Sequence, residues 1–166
     1  MIIKTIDTNL VNKVDYEPYK DKVTAIDEMI KKGTGKGNDF LGWVDWPINY
    51  DKAELAKIKE SAAYVRANYD VLVVAGIGGS YLGARAGIEA INGLHTPNKP
   101  EIIFLGQTLD PSYINEVLNY LKNKKFAVNV ISKSGTTTET SVSFRLLREM
   151  LEKNFGLEMA RKSIFA

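Results

Sequence analysis

Residues 132–140 read Ser-Lys-Ser-Gly-Thr-Thr-Thr-Glu-Thr, a cluster of six hydroxyl side chains (Ser132, Ser134, Thr136, Thr137, Thr138 and Thr140) with one lysine and one glycine. An apolar run over residues 126–131 precedes the cluster and a helix-like pattern follows it. A strand that passes into a helix through small hydroxylated residues is suited to holding an anion. The first N–H groups of a helix have no partner within it, and the macrodipole places partial positive charge there. The hydroxyls add donors and Lys133 adds charge, so the segment reads as a phosphate cradle. Capping explains part of the same pattern, because Thr136-x-x-Glu139 has the form of a capping box. A cap needs one hydroxyl, and six exceed that need.

A second loop, Gly76-Ile77-Gly78-Gly79-Ser80, follows a valine-rich run over residues 71–75. Its glycines serve either a tight turn at positive φ or a close approach of backbone to a sugar, with Ser80 as a hydroxyl contact. A dinucleotide fingerprint fails in two places. Its sixth position is Tyr81, where glycine or alanine is needed, and the following strand leads into Gly106-Gln107-Thr108 without an acidic residue for a ribose. Asp110 is the nearest carboxylate and reads as a helix cap. Groups for acid–base work are scarce. His95 is the single histidine, in a polar loop where solvation is the expected state, and Glu139 reads as a helix-start residue. No catalytic residue is assigned. With no cysteine and no metal-ligand spacing, no metal site is expected either.

The elements that must position these loops alternate. Residues 71–75 read as a strand buried on both faces, and residues 101–105 and 126–131 as two further strands. Helical periodicity follows each: to about residue 92, from Asp110-Pro111 with Ile114, Val117, Leu118 and Leu121 inward, and from 137 to about 153 with Phe144, Leu147 and Leu151 inward. The expected fold class is α/β, a three-layer sandwich with a parallel sheet flanked by helices. In such a sheet ligands bind beyond the carboxyl ends of strands, and both small-residue loops leave such ends.

Residues 1–69 read as a helical arm ahead of an α/β domain over 70–166. Val23, Ile26 and Ile30 form one face of a helix over 18–32. The aromatic segment Phe40-Leu41-Gly42-Trp43-Val44-Asp45-Trp46-Pro47 is expected to pin the arm to a core or partner. A helix over 51–68 has Leu55, Ile58, Ala62, Val65 and Tyr69 inward. Gly33-Thr34-Gly35-Lys36-Gly37 is not a P-loop, since Lys36 is followed by glycine and a helix precedes it. At the other end, Ser163-Ile164-Phe165-Ala166 reads as the opening of a fourth strand, so the chain is expected to be cut from something longer.

The 166 residues suffice for a real core, and 45% hydrophobic with 25% charged residues is ordinary for a globular protein. The 22 basic and 20 acidic residues nearly cancel, which gives no footprint for nucleic acid or an anionic membrane. No apolar run approaches the ~20 residues that cross a bilayer. The N-terminus lacks the pattern of a signal peptide, and the expected location is the cytoplasm.

Val74-Ala75-Gly76-Ile77-Gly78-Gly79-Ser80-Tyr81-Leu82-Gly83-Ala84-Arg85 and Ile131-Ser132-Lys133-Ser134-Gly135-Thr136-Thr137-Thr138-Glu139-Thr140 closely resemble the N-terminal half of the bacterial glucose-6-phosphate isomerase family. The Phe40-Leu41-Gly42-Trp43 segment and the helix from Asp51 are similar too. The resemblance implies the sugar-isomerase fold and interconversion of glucose 6-phosphate and fructose 6-phosphate through an enediol, without metal or cofactor. It implies phosphate contacts at Ser132, Ser134, Thr137 and Thr140, with Lys133 lending backbone or charge, and sugar contacts at Gly79 and Ser80. It also implies a homodimer of full-length chains. The family's catalytic arginine, glutamate, histidine and lysine have no match within the 166 residues, and His95 lies in a different context. An isolated chain of this length is therefore expected to be inactive. A non-catalytic sugar-phosphate binding or regulatory module of the same fold is the second reading.

Overall fold

A computed structural model describes residues 17–93 and 99–166; His95 and its loop lie outside the described residues. The chain divides into two compact units, Met1–Leu55 and Ala56–Ala166.

In the first unit a 3-10 turn (Glu17–Tyr19) leads into helix α1 (Lys20–Lys32). The helix stops at Gly33, whose left-handed backbone (φ 63°) lets its N–H reach the Ile30 carbonyl. Lys31 and Lys32 pair with Asp27 and Glu28 one turn back. A second 3-10 turn (Asn38–Phe40) and the short helix α2 (Trp46–Asn49) carry the aromatic segment. Helix α3 (Lys52–Asn68) begins at Asp51, whose carboxylate accepts from the Ala53 amide at 2.7 Å. No described residue up to Leu55 is buried. The face of α1 expected to point inward is correspondingly open, with Val23 and Ile26 exposed.

The second unit holds the core. Strand β1 (Val71–Ala75) leads through a short 3-10 turn (Gly78–Ser80) into α4 (Leu82–Asn92). Then follow β2 (Glu101–Leu105), α5 (Pro111–Leu121), β3 (Phe126–Val130), α6 (Thr138–Lys162) and β4 (Ile164–Phe165). The strands form one parallel sheet in the order β2-β1-β3-β4. Val71, Val73 and Ala75 point to one face. There they join Leu105, Phe126 and Val128, and are covered by Ile114, Val117 and Leu121 of α5 and Leu147, Leu151 and Ala160 of α6. On the other face Leu72 and Ala127 meet Val65 of α3, Tyr69 and Phe165. The expected α/β architecture and the fourth strand are both present.

One expected boundary and one expected burial differ. The final helical stretch continues past 153 to Lys162, broken at Gly156, where φ 78° and ψ 163° are incompatible with a continuous helix. Ile58, expected inward on α3, is exposed, whereas Val65 and Tyr69 are buried. Among the described residues no helix is long and apolar enough to cross a membrane.

Candidate functional site

The strand order decides where a ligand can sit. From β1 the chain moves to β2 on one side, and from β3 it moves to β4 on the other. β1 and β3 are adjacent, with Ala75 opposite Val130 at their carboxyl ends. This is the switch point of an open parallel sheet, where the loops diverge and leave a crevice. The glycine loop leaves β1 there and the hydroxyl loop leaves β3 there. The two segments singled out by residue type are therefore neighbours, although more than fifty positions separate them in sequence.

Backbone bonds lock the three strand ends together. The Ile131 amide donates to the Ala75 carbonyl and the Gly76 amide to the Leu105 carbonyl, each at 3.0 Å. The backbone at Gly106 runs at φ 103° so close to Gly76 that a Cβ there would lie 3.1 Å from the Gly76 nitrogen. Only glycine fits that approach.

In the glycine loop the Ser80 amide bonds the Ile77 carbonyl at 3.1 Å and the Tyr81 amide bonds the Gly78 carbonyl at 3.2 Å. Among the described residues no backbone bond outside helices and strands uses the Gly78 or Gly79 amide. Gly79 is exposed, Ser80 is half-buried, and a Cβ on Gly79 would meet nothing within 4 Å. A bare backbone facing open space can admit a polar ligand closely.

The hydroxyl loop is wound on itself. Ser132 Oγ accepts from the Gly135 amide at 3.1 Å and lies 3.4 Å from Thr137 Oγ1. Ser134 Oγ accepts from the Thr136 amide at 3.2 Å and from Thr136 Oγ1 at 3.0 Å. Gly135 makes the turn possible at φ 70°. The expected capping box does not form. Thr137, not Thr136, is the N-cap of α6, and its side chain makes no cap bond. Thr136 is instead committed to Ser134. The first i→i−4 bond runs from the Ser141 amide to the Thr137 carbonyl at 2.9 Å, so the amides of Thr138, Glu139 and Thr140 precede the helical ladder.

Thr140 is 3% exposed, and its Oγ1 is buried without a hydrogen-bond partner. Lys133 is exposed and forms no ion pair among the described residues. The site thus combines unused amides, a positive helix end, an unpaired hydroxyl and an unpaired lysine.

By residue type Gln107 marks only the absence of a ribose-binding acid after β2. It follows Gly106 at the end of β2, and its side-chain oxygen is buried without a partner. Its adjacency to a glycine pressed on the β1 loop shows only once the strands are paired.

The model of the phosphoglucose isomerase family matches residues 57–165, a span that includes both loops and every strand. This chain belongs to the phosphoglucose isomerase family. It is 52% identical over 157 residues to the glucose-6-phosphate isomerase of Staphylococcus epidermidis (strain ATCC 12228 / FDA PCI 1200), covering 93% of this chain and 35% of the relative. It is 49% identical over 156 residues to that of Shouchella clausii (strain KSM-K16), covering 89% and 34%. Among solved structures it resembles a hypothetical protein from Thermus thermophilus, with TM-score 0.69 and 27% identity over 89% of this chain and 34% of that one. This phosphoglucose isomerase family chain thus spans about a third of the length of the relatives it matches.

Proposed function

We propose that this chain supplies the phosphate- and sugar-holding part of an aldose–ketose isomerase acting on glucose 6-phosphate and fructose 6-phosphate, a step shared by glycolysis and gluconeogenesis. The observation that supports it most is the meeting of the two loops at the β1/β3 switch point, where Ala75 faces Val130. The phosphate rests on the amides of Thr138, Glu139 and Thr140, with hydroxyls from Ser132, Ser134, Thr137 and Thr140 and charge from Lys133. The sugar lies toward Gly79 and Ser80.

Holding both ends of the substrate raises rate by orientation. The proton transfer between C1 and C2 needs a positioned base, and neither loop offers one. Those groups come from the part of the fold that the longer relatives carry outside the shared span. The working enzyme is a cytoplasmic homodimer of full-length chains that uses no metal or cofactor.

Titration of the chain with glucose 6-phosphate, followed by backbone amide NMR with glucose as control, tests the binding half of the proposal. Shifts confined to residues 76–81 and 132–140, with the phosphorylated sugar alone, are expected. A folded sample whose spectrum does not move at millimolar ligand would overturn it.

A further inference from the structure

Gln107 follows the end of β2, where the chain is pressed against the glycine loop. β1, β2 and β3 end level, with Ala75 opposite both Leu105 and Val130. Just past that level Gly76 is bordered on two sides. A Cβ on Gly106 would lie 3.1 Å from the Gly76 nitrogen, and a Cβ on Gly76 would lie 3.1 Å from Ser80 Cβ. Gly106, with Gln107 next in the chain, and Ser80 therefore meet at the same glycine. The backbone beyond Gln107 is fixed as well, because Thr108 Oγ1 accepts from the Asp110 amide at 3.0 Å and Asp110 caps α5. Gln107 is thus anchored on both sides, beside the loop proposed to meet the sugar.

Its side chain is half-buried, at the boundary between the interior and water. The Oε1 atom lies on the inner side, buried, and among the described residues no group donates to it. An acceptor in that state carries a desolvation cost that a hydrogen bond would remove. Methionine would fill similar space without the cost, so packing does not account for a carboxamide here. A carboxamide sets a donor beside an acceptor. Neighbouring hydroxyls of a sugar each donate and accept, so they match it as a pair, whereas an ionised phosphate offers acceptors and engages only the N–H₂ half. We infer that Gln107 is a specificity-determining residue that bonds two neighbouring hydroxyls of the sugar. Binding draws Oε1 out of its unpaired position, so recognition of the hydroxyls removes a cost carried by the free chain. The inference rests on the proposed placement of the sugar toward Gly79 and Ser80, and it makes the loop after β2 the third wall of that site.

The test follows the side-chain NH2 signals of Gln107 by NMR in the 166-residue chain, assigned by their loss in Gln107→Met. Glucose 6-phosphate is compared with ethyl phosphate, which carries the phosphate and no hydroxyl group on carbon. The Gln107 signals should move with glucose 6-phosphate and stay in place with ethyl phosphate, while the backbone amides of Thr138, Glu139 and Thr140 move with both. Gln107→Met should melt no lower than the parent chain, bind glucose 6-phosphate about three- to tenfold more weakly and bind ethyl phosphate equally well. Gln107→Asn, which withdraws the carboxamide by one carbon, should show the same selective loss and carries the comparison if Gln107→Met does not fold. Static Gln107 signals, or an unchanged affinity for glucose 6-phosphate in the variants, would overturn the inference. An equal loss for both ligands would also overturn it, since that loss belongs to a role in the fold. If the amides of Thr138, Glu139 and Thr140 move with neither ligand, the phosphate site itself fails and the inference falls with it. If they move with both while Gln107 stays silent, the inference alone falls.

Discussion

The Ile131 amide donates to the Ala75 carbonyl across 3.0 Å, joining the root of the hydroxyl loop to the root of the glycine loop. Gly76, the next residue along, fills the remaining space. A Cβ there would lie 3.1 Å from Ser80 Cβ and 3.2 Å from the Ile131 carbonyl oxygen. The spacing of the two loops is therefore set by the lack of a side chain at Gly76.

Two alanine substitutions separate spacing from contact. Gly76→Ala must push Ser80 or Ile131 outward, an overpacking that costs about 1–3 kcal/mol and moves both loops. Gly79→Ala meets nothing within 4 Å and should leave stability within about 0.5 kcal/mol. Its methyl nevertheless stands where the sugar is proposed to lie, so glucose 6-phosphate binding should weaken. Chemical denaturation and ligand titration on both variants check this pair. Equal binding by Gly79→Ala and the parent chain would remove the glycine loop from the site.

Thr140 and Ser143 lie three residues apart on the buried side of α6, 3% and 0% exposed, each with an unpaired hydroxyl. A buried polar group without a partner carries a desolvation cost of about 1–3 kcal/mol. Thr140→Val and Ser143→Ala should therefore be neutral or stabilising in the free chain. They should differ toward ligand. Thr140→Val should weaken phosphate binding by about 0.5–1.5 kcal/mol, more if the bond is charge-assisted, and Ser143→Ala should leave it unchanged. Thr137→Ala should weaken it to a similar degree. Unfolding curves and phosphate-sugar affinities for the three variants decide whether these hydroxyls serve ligand or fold.

Much of this arrangement was legible in the sequence. Val71, Val73 and Ala75 sit in an unbroken apolar run, so β1 was readable to the residue, and Asp110-Pro111 announced α5. Residue type marked both loops, because glycines after one strand and hydroxyls after another have few structural uses in such density. Details that depend on tertiary geometry were not legible. Thr136 pairs with Ser134 rather than capping α6, because the turn at Gly135 brings the two hydroxyls together. Ile58 has helical spacing that matches Val65, yet the sheet reaches only the C-terminal part of α3, at Val65. Gln107 became notable through its buried oxygen, which no pattern reveals.

Asp110 caps α5 by accepting from the Ser112 amide at 2.7 Å and the Tyr113 amide at 3.2 Å. Asp110→Ala should cost about 1 kcal/mol, and Asp110→Asn or Asp110→Ser should recover most of it. The helix anchors Ile114, Val117 and Leu121 in the core, so the loss should appear as a lower denaturation midpoint with an unchanged slope. Because Asp110 stands beyond the loop after β2, phosphate-sugar affinity should not change. A large drop in affinity would show that the carboxylate belongs to the site.

Tyr69 couples the stability of the fold to alkaline pH. Its hydroxyl lies 2.9 Å from Ser163 Oγ, which itself donates to the Met159 carbonyl at 2.7 Å, so the end of α3 is tied to the end of α6. Burial pushes the Tyr69 phenol above its ordinary value, because the phenolate would lose its water. The unfolded chain then releases the proton first. Its contribution to stability is intact below about pH 10 and falls as pH rises beyond that point. Tyr69→Phe should cost about 1 kcal/mol at neutral pH through the lost hydrogen bond. The gap between the two proteins should narrow or reverse at about pH 11, where the parent alone must bury an ionisable phenol. Urea unfolding of both at neutral and alkaline pH measures the gap directly. A gap that stays constant would mean that Tyr69 titrates with its ordinary value and that its burial does not resist ionisation.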